Sequence, residues 1–242
     1  MRRHWIHRDI GVTVLVLLWV TAGVLLDRGA SLAVQRTIGA ATWALLFVLL
    51  AAEKPLVRAQ VLVAVAVATV GEVFLSLGVE LYTYRLANLP SFVPPGHGVV
   101  YLAALTLGRS TLFDRGSTAL TRATLVACLA WAAWGITLAP RHDLFGALLA
   151  LCFAGFVIAG RAPRVYAAAF IVTSWLELAG TAAGTWTWTA VDQSGLFTFG
   201  NPPSGIAGGY CLLDCVALSL GSRFVEWWSV SRAPLRETAI AD

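Results

Sequence analysis

Charge is scarce in this chain. Only 12% of its 242 residues are Asp, Glu, Lys or Arg, about half the share that a soluble domain carries. With 58% hydrophobic residues and a mean hydropathy of +0.77, that scarcity excludes an ordinary water-soluble domain. Cysteine is equally sparing: Cys128, Cys152, Cys211 and Cys215 all lie in apolar runs, so no extracytoplasmic pair offers a disulfide framework. Cys211 and Cys215 share a helix face, but no histidine lies near them, and their reading is small buried side chains rather than metal ligands. No nucleotide-phosphate loop, no HExxH, no GxSxG and no histidine set suited to a catalytic metal occurs. The sequence therefore implies no cofactor and no metal, and it excludes ATP-driven transport and most familiar membrane hydrolases.

What is present is a succession of apolar runs. Eight can be read, at 10–26, 38–52, 57–78, 94–107, 120–139, 144–160, 165–183 and 204–220. Several fall short of the ~20 residues that a perpendicular span needs, and the fourth is the weakest. The expected fold is an all-α, polytopic transmembrane helical bundle forming one integral membrane domain. Met1 to Arg8 is basic and precedes an apolar stretch without a small-residue cleavage site, which reads as a retained signal anchor.

Basic residues fix an orientation. With the N-terminus in the cytoplasm, 13 of the 17 Lys and Arg fall on inner segments, against only Arg28, Arg36, Arg85 and Arg141 outside. Such a bias predicts eight spans in an inner (cytoplasmic) membrane with both termini cytoplasmic. The formal charge of +4 belongs to this inner collar and reads as contact with anionic headgroups, not as a nucleic-acid surface.

The chain repeats itself. Val70 to Tyr101 and Trp175 to Tyr210 each place a glutamate deep in an apolar run, then glycine, aromatic-Thr-aromatic, a polar loop, a Pro-Pro pair and a second apolar run holding tyrosine. Residues 1–108 and 120–221 are thus expected to form two parallel four-span repeats, joined by a turn-rich linker from Gly108 to Ala119 and followed by a cytoplasmic tail at 222–242. A third aromatic-Thr-aromatic at Phe197 to Phe199 tempers the pattern, because aromatic residues also anchor membrane interfaces.

Ionisable groups in a bilayer are costly, so Glu72 and Glu177 at matching positions suggest a site. If their helices end near Glu80 and Gly184, both lie roughly 11 Å below the outer surface. Fourfold spacing places Glu72, Ser76 and Glu80 on one face and Thr173, Glu177 and Thr181 on another. His97 and Tyr101 follow the first loop one turn apart, as Tyr210 and Asp214 follow the second. Burial favours the neutral form of a carboxyl, and a neighbouring acid does so further, which suits a general acid near neutral pH. Glu72, Glu177, Asp214, Tyr101, Tyr210 and His97 are the candidate proton-transfer groups. The bland alternatives are interhelical hydrogen bonds for the acids, a wet-interface position for His97 and a solvated ion pair for Glu80 with Arg85. Tyr82, Tyr84, Trp186, Trp188, Ser76 and Thr181 are the candidate substrate-binding side chains, the aromatics forming either a stacking rim or a lipid-interface belt.

The segment Glu177-Leu-Ala-Gly180-Thr-Ala-Ala-Gly184 followed by Trp186 and Trp188, with its counterpart from Glu72 to Tyr82-Thr-Tyr84, resembles the glutamate, glycine and Tyr-x-Tyr pattern of the carotenoid hydratase family. The resemblance covers some forty residues in each half. It implies addition of water to a terminal double bond of a long isoprenoid, begun by protonation of the alkene. From the residues alone, three classes stay open: cofactor-independent acid/base chemistry on an isoprenoid or other lipid, a proton-coupled carrier or lipid permease, and a non-catalytic assembly partner that uses the aromatic rim. The partners are accordingly a lipophilic small molecule or lipid and the membrane itself, with the oligomeric state open.

Overall fold

Apolar runs opened by Ser, Asp or Pro fold here as helices. A computed structural model describes residues 2–231. Among them lie eight helices: α1 (Arg2–Asp27), α2 (Leu32–Ala51), α3 (Pro55–Glu72), α4 (Val93–Gly108), α5 (Thr111–Thr137), α6 (Leu144–Ala159), α7 (Pro163–Ala183) and α8 (Ala207–Ser231). Two short strands, β1 (Tyr82–Tyr84) and β2 (Trp186–Trp188), follow α3 and α7. The side chains of Ser31 and Asp143 cap α2 and α6, accepting the N–H of Val34 and Gly146. Prolines open α3, α4 and α7, where a missing N–H costs nothing.

The fold is an all-α bundle with an apolar exterior. Five helical stretches are long and apolar enough to cross a membrane, at Arg8–Asp27, Leu32–Ala51, Pro55–Gly78, Thr111–Thr137 and Pro163–Ala183, and α6 is a shorter apolar helix. Large apolar side chains such as Val70, Leu138 and Ile158 are at least 72% exposed. Water makes such a surface costly, whereas lipid does not.

At the centre, α3 packs on α4 and α8, and α7 packs on the same two helices. The doubtful fourth run is the middle of the molecule: α4 is buried on nearly every face from Gly98 to Gly108 and is flanked by α1, α2, α3 and α7. Its 16 residues make it shorter than the five long apolar stretches, and neighbouring helices cover it on most sides.

Where α1 begins, one guanidinium ties three segments together. Arg109, at the end of α4, donates to Asp9 on α1 through Nε and Nη2 at 2.9 and 2.8 Å, and to Glu53 beyond α2 through Nη1 and Nη2 at 3.0 and 2.7 Å. Arg8 adds a bond to Glu53 at 2.9 Å. Burial alone pushes the Glu53 carboxyl up, but the hydrogen bonds and charge of Arg109, helped by Arg8, win and hold it below the ordinary value of 4.5.

Four local expectations need correction. The stretch Gly108 to Ala119 is not a turn-rich linker, because α5 begins at Thr111 and only Gly116 inside it is non-helical. Ser110 at the N-cap and the fully buried Phe113 draw the chain straight into the bundle. The third helix does not continue regularly to Glu80: after Glu72 it widens into a π-helical turn at Val73–Gly78, and Glu80 lies past it with φ of +52°. Arg85 pairs with the buried Asp27 and the Ala30 carbonyl rather than with Glu80. Finally, α8 runs through Ser231, so the expected tail begins as helix, and its remainder at 232–242 lies outside the described residues.

Candidate functional site

The two motif copies meet. β1 pairs with β2 antiparallel, with Tyr82 opposite Trp188, Thr83 opposite Thr187 and Tyr84 opposite Trp186. Strand alternation turns Thr83 and Thr187 outward and buries all four aromatic rings. They are therefore neither a lipid-interface belt nor an exposed rim. Tyr82 and Trp188 lie with centroids 4.5 Å apart, and Tyr84 meets Trp186 edge to face. This two-stranded ribbon carries the polar ends of its rings to the carboxylates of the two helices that precede it.

Each glutamate receives three side-chain partners. At Glu72, Oε2 accepts from the hydroxyls of Tyr82 at 2.8 Å and Tyr84 at 2.7 Å, and Oε1 lies 2.9 Å from Nε2 of His97. At Glu177, Oε2 accepts from the indoles of Trp186 at 3.0 Å and Trp188 at 3.2 Å, and Oε1 accepts from the Tyr210 hydroxyl at 3.3 Å. The pattern is the same in both halves, but the donors differ: two phenols and an imidazole on one acid, two indoles and a phenol on the other. An imidazole stands beside Glu72, whereas among the described residues no His, Lys or Arg side chain bonds to Glu177.

Close packing sets the ribbon. Gly184, with φ of +73°, ends α7 in the left-handed conformation and turns the chain back into β2. The six-membered ring of Trp186 rests on Gly180, where any side chain would overlap it. The π-helical turn after Glu72 does the corresponding work in the first half, and the N–H of Leu81 closes on the Leu75 carbonyl at 2.9 Å.

Both glutamates line one cavity of about 440 Å³, together with His97, Tyr210 and the four ribbon aromatics. The rest of its wall is mainly aliphatic, from Val20 on α1 and Ile38 on α2 to Leu213 on α8. That size and character suit an apolar small molecule with a few polar contacts.

Several sequence candidates sit elsewhere. Ser76 and Thr181 donate to the carbonyls of Glu72 and Glu177, one turn back in their own helices, and neither faces the cavity. Fourfold spacing put them beside the acids in sequence, but a hydroxyl at that spacing bonds its own backbone. Tyr101 and Asp214 lie a turn deeper, outside the cavity, and are near enough to each other to interact electrostatically. Among the described residues, the Tyr101 hydroxyl and Asp214 Oδ2 are buried without hydrogen-bond partners.

Sequence reasoning did not find the organiser of the second loop. Asp143 accepts the N–H groups of Gly146, Gly200 and Ser204, while Arg141 donates to the carbonyls of Trp188, Thr189 and Phe199. Together they hold the long loop from β2 to α8 against α6. An acid-containing Arg-His-Asp just before an apolar run was the available signal. Among the described residues, no three His, Cys, Asp or Glu side chains converge in a way that would hold a metal ion. No family model, curated protein or solved structure matches the chain.

Proposed function

We propose that the chain is an eight-span protein of the inner membrane, built as two parallel four-span repeats with both termini cytoplasmic, and that its central site performs cofactor-independent acid/base chemistry on a lipophilic, isoprenoid-like substrate. One observation carries the reading: two glutamates from matching positions enter one apolar cavity, each held by donors from its own strand of a shared aromatic ribbon.

The unequal donor sets divide the work. Glu177, among neutral N–H and O–H groups, is the acid that gives its proton to an alkene carbon. The positive charge left on the neighbouring carbon is stabilised by the faces of Trp186, Trp188, Tyr82 and Tyr84. Water adds to that carbon, and Glu72 with His97 takes the proton it releases. A proton returned to Glu177 closes the cycle, and the net change is one water added across a double bond. This matches what the resemblance to the hydratases implies.

A second reading is favoured by Tyr101 and Asp214. Their unpartnered polar groups extend the line of buried polar side chains from the cavity toward the end where α4 closes, which would suit the proton route of a carrier. The inward-facing aromatics leave little exposed rim for an assembly partner.

Lipid extracts of cells with and without the gene, compared by mass spectrometry, test the proposal. A product heavier than its precursor by one water supports the hydratase reading, whereas an unchanged lipid pool with altered leaflet distribution supports the carrier. For topology, cysteines placed at Arg115 and Gln193, both exposed, should react from the cytoplasmic and the outer side respectively. Reaction of both from one side would overturn the eight-span arrangement.

A further inference from the structure

The four central helices make two corresponding seams, α4 against α7 and α3 against α8. They are not covered alike. α1 lies along the first seam and is tied there: the Trp175 indole donates to Thr21 at 2.8 Å, the hydroxyls of Thr13 and Thr106 meet at 3.0 Å, and Thr185 donates to the Val24 carbonyl at 3.3 Å. α5 would hold the matching place on the second seam if the halves were alike, but it packs on α6 and α7 instead. Among the described residues, no helix lies along the α3/α8 seam as α1 does along the other.

That uncovered seam is closed at one end and open at the other. Near the start of α3, a methyl group at Gly221 would lie 2.9 Å from the Gln60 Cα, so the helices touch. Toward the aromatic ribbon they part: no heavy atom lies within 4 Å of where a side chain would begin at Gly71 or Gly209. Both glycines line the cavity, as do Val67 and Leu212, whose side chains are 38% and 57% exposed. The cavity thus reaches the apolar exterior between these residues. Its mouth offers aliphatic contact and no charge, while both carboxyls lie within. A water-soluble ligand would gain nothing there, but a hydrocarbon chain gains with each methylene it buries.

We propose that the outer half of the α3/α8 seam is a lateral doorway, through which the hydrocarbon chain of a membrane-dissolved isoprenoid slides between Val67, Gly71, Gly209 and Leu212 to bring its end to Glu72 and Glu177. The doorway deepens the proposed function, since it names the route to the same site. It is nonetheless tested by occupancy, independently of chemistry.

The experiment is photo-crosslinking in phospholipid vesicles with a polyprenyl chain bearing a terminal diazirine. Peptides containing Val67 to Gly71 or Gly209 to Val216 should carry the label, and unlabelled polyprene should compete it away. The double variant Gly71→Leu/Gly209→Leu should lose labelling about tenfold, as a leucine side chain at each position fills the doorway. Leu212→Trp, which alters only the exposed mouth, provides a second block should the double variant not insert. Glu177→Gln should still take the label, which separates failure of the doorway from failure of the acid/base reading. Equal labelling at Val126 and Ile158 on the lipid face, undiminished labelling in both blocked variants, or a Leu212→Cys variant that forms disulfide-linked dimers in a background without the native cysteines would each overturn the doorway.

Discussion

His97 and Tyr210 lie ring against ring across the two halves, with centroids 5.7 Å apart and planes inclined by 27°, and each reaches a different buried glutamate. They sit at corresponding places near the starts of α4 and α8, so the stack is where the two acid sites adjoin. The two rings differ in what they can do. Histidine can hold a proton taken from water by Glu72, whereas tyrosine supplies one neutral donor to Glu177. His97→Phe keeps the stack but removes the proton acceptor, and turnover should fall about 10²-fold or more. Tyr210→Phe removes a single long hydrogen bond and should cost roughly tenfold at most, consistent with about 1 kcal/mol for such a bond. Rates of product formation in membranes from cells expressing each variant check the order. A Tyr210→Phe loss as large as that of His97→Phe would contradict the division of roles.

The seat of Trp186 on Gly180 gives a packing prediction. Gly180→Ala would place a methyl group inside the indole ring, so the ring must move and the Nε1 bond to Glu177 must break with it. Overpacking of this kind costs about 1–3 kcal/mol, and the effect should appear both in thermal stability in detergent and in turnover. Gly71→Ala, on the matching stretch before the other ribbon strand, meets nothing within 4 Å and should leave stability unchanged. Melting curves of the two variants beside wild type make the comparison.

The Arg109 cluster makes a pH prediction at the opposite end of the bundle. Glu53 is held below its ordinary 4.5 in the folded protein, so its contribution to stability is complete above the unfolded value and is lost as pH falls through the folded one. Glu53→Gln should destabilise by about 2 kcal/mol at pH near 7, less than a fully buried pair would cost because Arg109 is partly exposed. The gap between wild type and variant should hold steady down to about pH 5 and shrink below the ordinary glutamate value. Thermal unfolding across that range in one detergent measures it, and a gap that widens on acidification would show the sign to be wrong.

The helices and the two buried acids were legible because hydropathy and buried charge are written in single residues. Glu72 and Glu177 announce themselves against apolar neighbours, and His97 and Tyr210 stand at similar places after the two loops. Pairing across a hundred residues is not written that way. Nothing local in Tyr82-Thr-Tyr84 or Trp186-Thr-Trp188 says that the two triplets hydrogen-bond to each other and turn their rings inward, since alternating aromatics serve equally well as interface anchors. Ser76 and Thr181 misled for a related reason: spacing places a hydroxyl on a face but does not say whether it reaches outward or back to its own carbonyl. The different paths of α1 and α5 were hidden too, because two similar sequence motifs do not specify which helices will be neighbours.

Replacing each glutamate by glutamine separates proton transfer from support. At Glu177, the glutamine carbonyl can still accept from Trp186 and Trp188, while its amide can donate to the Tyr210 oxygen, so every partner stays engaged. At Glu72, the carbonyl likewise serves Tyr82 and Tyr84, and the amide faces His97 Nε2, which accepts in one tautomer. Both variants should therefore fold and insert, with thermal stability within about 1 kcal/mol of wild type. Alanine would strand three donors at Glu177 and the two tyrosine hydroxyls at Glu72, and would cost more. Turnover should nevertheless fall at least 10²-fold in Glu177→Gln, because the amide has no proton to give. Assay in detergent, where no gradient exists, then separates the readings. An enzyme converts its substrate there, while a proton-coupled carrier acts only in sealed vesicles, with proton uptake that depends on substrate. Wild-type activity of both glutamine variants, in detergent and in vesicles alike, would show that neither carboxyl moves a proton and that the two sites only brace the ribbon.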